Sequence, residues 1–297
     1  MTHKSYHKAM GVLILGAFII GFAPIFVRLS SAGPAATGVW RLAFALPALA
    51  ILAHSGAREI GVQGSVLRTL PSIMAIWAGL AFAADLGFWH YAIGLTTVAN
   101  ATVLTNLTPI VVTVLAWLVF KEVPQRLFLT GLVLAITGAV TLTFGAASAG
   151  SGHNTGLGDA LAVATAFWYA LYFLAVRKAR QTLSAALVMF WSSLVALPCL
   201  IIIALVMDEP LWPTTALGWF ACIGLGFVHV AGQGSIAWAL GRLPTAITSL
   251  VVLIQPVIAA LLGWVLFAEA IGPWQILGAA LTLSGVVLAQ WAASRVQ

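Results

Sequence analysis

The chain has 297 residues, of which 62% are hydrophobic and only 7% are charged, where a soluble globular domain carries about 25% charged residues. So little charge excludes a surface facing water throughout, and lipid is expected to solvate most of the exterior. The 13 basic residues against 7 acidic ones lie singly at the ends of apolar runs, so there is no basic stripe of the kind that binds nucleic acid.

Lys4, His7 and Lys8 precede an apolar run from Gly11 to Leu29. The arrangement superficially matches a secretory leader, but the run lacks a small-x-small cleavage site and is followed by nine more like it, so it is expected to be a retained first span. One crossing needs about 20 largely apolar residues. The further runs fall at 34–53, 71–92, 97–119, 127–145, 158–176, 184–206, 214–239, 245–267 and 273–291. The long central connector, 146–156, is rich in Gly and Ser and reads as a flexible extracytoplasmic linker. It separates a first five-helix repeat, 11–145, from a second, 157–291. The expected fold class is all-α integral membrane with ten transmembrane helices.

Orientation follows from the basic residues, which are retained near helix ends on the cytoplasmic side. With the N-terminus inside, Lys4, Lys8, Arg58, Arg68, Lys121, Arg126, Arg177, Lys178, Arg180, Arg242 and Arg295 are cytoplasmic, leaving only Arg28 and Arg41 toward the outside. Both termini are then cytoplasmic, and Asp208, Glu209 and Glu269 lie outside. Cys199 and Cys222 sit within apolar runs and read as small buried hydrophobes.

The halves repeat each other. An offset of 147 pairs Gly94 with Gly241, Pro109 with Pro256, Trp117 with Trp264, Phe120 with Phe267 and Glu122 with Glu269 without a gap. It continues through Gly131 with Gly278 and Gly138 with Gly285, while Trp40 and Ala45-Leu46-Pro47 pair with Trp191 and Ala196-Leu197-Pro198 at an offset of 151. Chance matching explains Leu and Ala but not Trp, Pro and Gly in register. A repeat of five crossings, an odd number, must enter the membrane from the opposite side the second time. Inverted repeats of this kind are a recurring plan of secondary transporters, with the substrate at mid-depth between them.

The Gly33-Pro34-Ala35 opening of the second helix, the Trp40-Arg41 that follows it, and the repeated Pro…Trp…Phe-x-Glu segments resemble the EamA-type branch of the drug/metabolite transporter superfamily. Within it the chain is most similar to the YddG-type bacterial exporters of aromatic and other amino acids. The resemblance implies alternating-access export of amino acids or related metabolites across the bacterial inner membrane, with no cofactor and no metal, by a monomer or weak homodimer. Ser192 aligns with Arg41, so the repeat itself does not require an arginine there.

Several polar residues within the apolar runs are candidate substrate contacts. Pro109 and Pro256 lie near the centre of their helices, where proline removes a backbone hydrogen bond and bends the helix. The freed carbonyls are tolerated where they face protein or a wet cavity. Asn100, Thr102, Thr105, Asn106 and Thr108 precede Pro109, and Thr245, Thr248, Ser249 and Gln255 precede Pro256. Asp85, two-thirds along the third helix, carries an insertion cost of about 2.5–3.5 kcal/mol; it is either a group for a substrate ammonium or proton, a static partner for Arg41 or His90, or a residue at an outside-leaning interfacial position. Trp89, His90 and Tyr91 are either substrate contacts or an aromatic belt. Trp168 and Tyr172, with Tyr169 beside them, are mid-helix aromatics suited to stacking on a ligand. His229 and Gln233 in the eighth helix either bind ligand or pair across helices, and because the eighth helix is the repeat partner of the third, both polar pairs are expected to approach the same pseudo-two-fold axis. The small-residue faces Gly131, Ala135, Gly138 and Gly278, Thr282, Gly285 predict close packing, with the fifth and tenth helices sealing the back of each half. Neither H-E-x-x-H nor G-x-S-x-G occurs, no nucleotide-binding loop is present, and a lone Asp85 supplies no channel ring.

Overall fold

The computed structural model describes residues 3–59, 71–95, 104–146, 155–267 and 272–294. The predicted positions Arg68, Asn100, Thr102, Glu269 and Arg295 and the linker residues 147–154 lie outside them.

The described residues are helical, with no strand among them. In chain order the helices are α1 (His3–Ile20), α2 (Ala23–Leu29), α3 (Pro34–Glu59), α4 (Ile73–Leu95), α5 (Thr108–Phe120), α6 (Arg126–Ala146), α7 (Thr155–Ala179), α8 (Ala185–Val206), α9 (Ala216–Val228), α10 (Gly234–Leu240), α11 (Thr245–Val251), α12 (Ile254–Phe267) and α13 (Pro273–Ser294). Among the described residues, eight stretches are long and apolar enough to cross a membrane, and Thr108–Phe120 and Arg126–Thr141 are shorter apolar helices. Large apolar side chains such as Ile51, Val206, Phe227 and Trp274 lie on the exterior, as expected where lipid is the solvent. Trp117 and Trp264, equivalent by the 147-residue offset, are 49% and 52% exposed, which assigns both to that exterior and neither to an interior site.

Four of the predicted continuous helices are interrupted, and each break has a local cause. The first is broken at Gly21-Phe22, with Pro24 in the first turn of α2, where its missing N–H costs nothing. The fourth breaks at Asn106-Leu107 rather than bending at Pro109, which lies in the first turn of α5. The ninth breaks at Val252-Leu253, and Pro256 sits in the first turn of α12. Proline in the first, fourth and ninth segments thus starts a helix instead of straining one. The eighth is interrupted by a π turn over His229–Gln233, a wider turn that is rare and recurrent at functional sites. By contrast, α3 and α8 run continuously through Pro47 and Pro198.

The fifth and tenth helices correct their predicted placement. Instead of sealing separate backs, α6 and α13 pack on one another, antiparallel. A Cβ added at Gly131 would lie 2.7 Å from the Gly285 carbonyl oxygen, one at Gly285 would lie 2.6 Å from that of Gly131, and Gly138 abuts Thr282 and Gly278. Side chains larger than glycine would force the two backbones apart. The buried Thr282 hydroxyl donates to the Gly278 carbonyl at 2.8 Å. Because 131, 135 and 138 correspond to 278, 282 and 285, each contact has its mirror across the pair.

That mirror relation extends over the molecule. The α4–α7 packing matches α10 on α1, α4 on α8 matches α9 on α3, and α3–α8, α5–α11 and α6–α13 each map onto themselves when the halves are exchanged.

Candidate functional site

The site is built from helices of both halves around Phe82 of α4. Trp40 sets the rotation of α3: its indole N–H donates to the Leu211 carbonyl at 2.8 Å, and its ring packs between Trp219 at 4.7 Å and Trp212 at 5.0 Å. One residue further, about 100° around the helix, Arg41 therefore points inward. It is only 8% exposed, its guanidinium carbon lies 5.5 Å from the Phe82 ring centre, and its Nε has no hydrogen-bond partner. Asp85, one turn along α4 from Phe82, is 9% exposed, and it and Arg41 are within range of each other's charge.

Phe82 also packs against Tyr172 of α7, at 5.1 Å, and against His229, at 5.4 Å. Tyr172 lies parallel to Tyr169 at 5.9 Å and donates to Met189 Sδ at 3.5 Å. Gln233 lies near both tyrosines, with its amide Nε2 left without a hydrogen-bond partner. His229 Nε2 is 2.9 Å from the Ser193 hydroxyl. The π turn gives α9 and α10 the local rotation that presents both His229 and Gln233 inward, while Gly232 on its other side rests on Ile19 and Ile20.

Of the predicted residues, Asp85, Tyr172, His229 and Gln233 meet in this cluster. His90 is buried with both ring nitrogens unpartnered, within reach of the Arg41 charge, and Trp89 lies against it at 5.1 Å. Trp168 stacks on Phe88 at 6.3 Å, at the flank. Asn106 occupies the break before α5 with its amide nitrogen buried and unpartnered, and Gln255 occupies the first turn of α12. No hydrogen bond or ion pair among the described residues ties the side chain of Asn106 or Gln255 to the cluster. Tyr169, expected beside Trp168 and Tyr172, joins it, and Arg41, Ser193 and Phe82 belong to it although they are not among the predicted contacts. Arg41 alone carried a signal, as a lone charge within an apolar run.

What distinguishes the cluster from ordinary core is unmet hydrogen-bonding capacity. Arg41 Nε, both His90 nitrogens, His229 Nδ1 and Gln233 Nε2 are buried without partners. Each such group costs roughly 1–3 kcal/mol, and in native proteins few are left unpaired without a role. Aromatic walls with a few convergent polar groups suit a small amphipathic ligand.

A carboxylate fastens each end of the bundle. At one, Lys121 adopts the left-handed conformation (φ 59°) and turns Glu122 toward the start of α11, where it accepts from the Thr245 N–H at 2.9 Å and hydroxyl at 3.3 Å. Arg177 stands 3.8 Å from Glu122 and donates to the Leu240 carbonyl at 2.7 Å. Beside them Arg180 donates to the carbonyls of Ala237 and Leu183. Burial, with the Arg242 charge adding to it, pushes Arg180 down to about 10, so it stays charged at neutral pH. At the other end Asp208 is left-handed (φ 51°) and turns Glu209 toward the start of α3, where it accepts from the Ala36 N–H at 3.0 Å and from the Tyr91 hydroxyl. Both carboxylates occupy helix N-termini, where negative charge is favoured.

Comparison with known proteins follows the same outline. A solved crystal structure superposes with a TM-score of 0.78 at 20% identity, covering 98% of this chain and 99% of its own, which shows a shared fold. An uncharacterized transporter of Archaeoglobus fulgidus is 26% identical over 288 residues, covering 93% of this chain and 94% of that protein. The sequence profile of the EamA-like transporter family matches twice, over residues 7–144 and 156–291. With both halves matched, the chain belongs to the EamA-like transporter family and is a multi-pass membrane protein.

Proposed function

We propose that this transporter exports small neutral amino acids, aromatic ones among them, across the bacterial inner membrane by alternating access. The observation that carries this reading is the buried cluster of Arg41, Asp85, His229 and Gln233, polar, incompletely hydrogen-bonded and walled by Phe82, Tyr169 and Tyr172. A carboxylate suits an ammonium, the aromatic faces suit an apolar or aromatic side chain, and the unpartnered donors suit ligand oxygens.

In this reading the chain crosses the membrane ten times as two inverted repeats, with the two shorter helical segments completing the crossings. The antiparallel α6–α13 contact, mirrored through the 147-residue offset, supports a two-fold axis in the membrane plane. The end fastened by Glu122 carries Lys121, Arg126, Arg177, Lys178, Arg180 and Arg242, and the end fastened by Glu209 carries Asp208 and Arg28. The positive-inside tendency then places the Glu122 end and both termini in the cytoplasm. Rocking of the halves would open the two ends in turn around the central cluster.

The test is counterflow into liposomes containing only the purified protein. Saturable, trans-stimulated uptake of labelled phenylalanine and leucine is the expected result. Uptake that stays linear to millimolar concentration would make it a channel, and absence of trans-stimulation by any amino acid would end the assignment of substrate.

A further inference from the structure

Arg41 is the one described basic side chain buried at the centre of the bundle, and no carboxylate among the described residues lies within ion-pairing distance of it. Its position is enforced from outside the cluster, by the hydrogen bond and ring contacts of Trp40. Asp85 sits close enough to feel its charge, yet the two side chains do not join. A closed pair would satisfy both groups and leave nothing for a ligand; a guanidinium and a carboxyl group buried near each other without an ion pair keep capacity to spare. The repeat sharpens the point. Ser192 occupies the equivalent register of α8, and its hydroxyl merely donates to the Met189 carbonyl of its own helix at 3.2 Å, so the packing of the repeat is achieved without a cation there.

We infer that Arg41 is the anchor for the substrate's carboxylate, and that the site selects zwitterions by holding carboxylate and ammonium between Arg41 and Asp85. The guanidinium offers two parallel N–H donors to a carboxylate, which a lysine cannot reproduce. Its carbon lies over the Phe82 ring at 5.5 Å, and its Nε–H has no hydrogen-bond partner. A ligand carboxylate at that edge places its α-carbon between the two charges, and its side chain then runs toward the tyrosine faces. This inference rests on the amino-acid reading above.

The experiment compares three inhibitors of labelled phenylalanine counterflow: phenylalanine, 2-phenylethylamine, which lacks the carboxylate, and 3-phenylpropanoate, which lacks the ammonium. The wild-type protein should favour phenylalanine over each analogue by roughly 10- to 100-fold, as expected for losing a hydrogen bond to a charged group. In Arg41→Gln the preference over 2-phenylethylamine should collapse toward unity while that over 3-phenylpropanoate persists; Asp85→Asn should do the reverse. Arg41→Lys, which keeps the charge and guards against a folding defect, should lose at least about fivefold of the preference. Unchanged ratios in a monodisperse Arg41→Lys or Arg41→Gln protein would overturn the inference, as would wild-type protein that takes 2-phenylethylamine as readily as phenylalanine; the transporter reading would survive both. Wild-type protein that takes 3-phenylpropanoate but no amino acid, and loses it in Arg41→Gln, would instead keep the carboxylate anchor and remove the amino-acid assignment.

Discussion

Removing the Glu122 carboxylate should open one end of the bundle selectively. In Glu122→Ala, the start of α11 loses the acceptor for the Thr245 N–H at 2.9 Å and hydroxyl at 3.3 Å, and Arg177 loses its partner at 3.8 Å. Loss of a helix cap costs about 0.5–2 kcal/mol. The ion pair is long, with its side chains 26% and 20% exposed, so solvent screening holds its share below about 1 kcal/mol. Together they give roughly 1–2 kcal/mol, a shift of about 5- to 30-fold in the closed-to-open ratio at this end. The reporter is Thr248→Cys, fully buried one turn into α11, in a background with Cys199 and Cys222 replaced by alanine. Its reaction rate with a membrane-impermeant maleimide should rise by that factor in inside-out vesicles. Glu209→Ala should act at the opposite end, raising the reactivity of Thr37→Cys, which is buried one position beyond the Ala36 N–H that Glu209 accepts from. If neither substitution changes its own reporter, or each changes both equally, the two carboxylates are not end-specific fasteners.

Three further outcomes follow from the same geometry. Asp85→Asn should reduce transport or change its pH dependence at an unchanged yield of monodisperse protein, and kinetics unaltered at every pH assayed would remove Asp85 from the mechanism. Trp168→Ala should weaken counterflow of aromatic amino acids more than aliphatic ones, although its stack on Phe88 leaves equal loss for both as the result that would reduce it to packing. Gly138→Leu drives a side chain into the Thr282 backbone; overpacking of this kind costs about 1–3 kcal/mol and should lower the apparent melting temperature by roughly 5 °C, with no drop indicating that α6 and α13 do not approach closely in the membrane.

Much of the helical plan was legible because composition leaves few choices. An apolar run of about 20 residues has to become a helix when water is absent, and the predicted 34–53, 71–92, 127–145, 184–206 and 273–291 lie within or close to α3, α4, α6, α8 and α13. The breaks were harder to read. Proline marks a bend in sequence, but whether it kinks a helix, as expected for Pro109, or begins a new one depends on where the preceding turn finds its hydrogen bonds. Here the Leu107 N–H turns back to the Leu104 carbonyl, and the Ile110 N–H to that of Leu107. The π turn at His229–Gln233 has no proline to announce it; only the glycines at 232 and 234 and the two polar residues hinted at it.

The site shows the same division. Single polar residues in apolar runs were visible, but the partners that give them meaning come from other helices. His229 is explained by Ser193 and Phe82, Gln233 by two tyrosines, and Arg41 by a tryptophan that faces away from it. The internal repeat, which made the fold readable, also obscured the site, because residues shared by both halves were the easiest to notice. Pro109 with Pro256 and Gly138 with Gly285 build the frame, and a frame with two-fold symmetry treats both ends of a ligand alike. A substrate with different ends needs features present once. Arg41 opposite Ser192, the π turn in the eighth helix but not in α4, and Asp85 opposite Gly232 are such features, and all three fall at the one place where helices from both halves meet around Phe82.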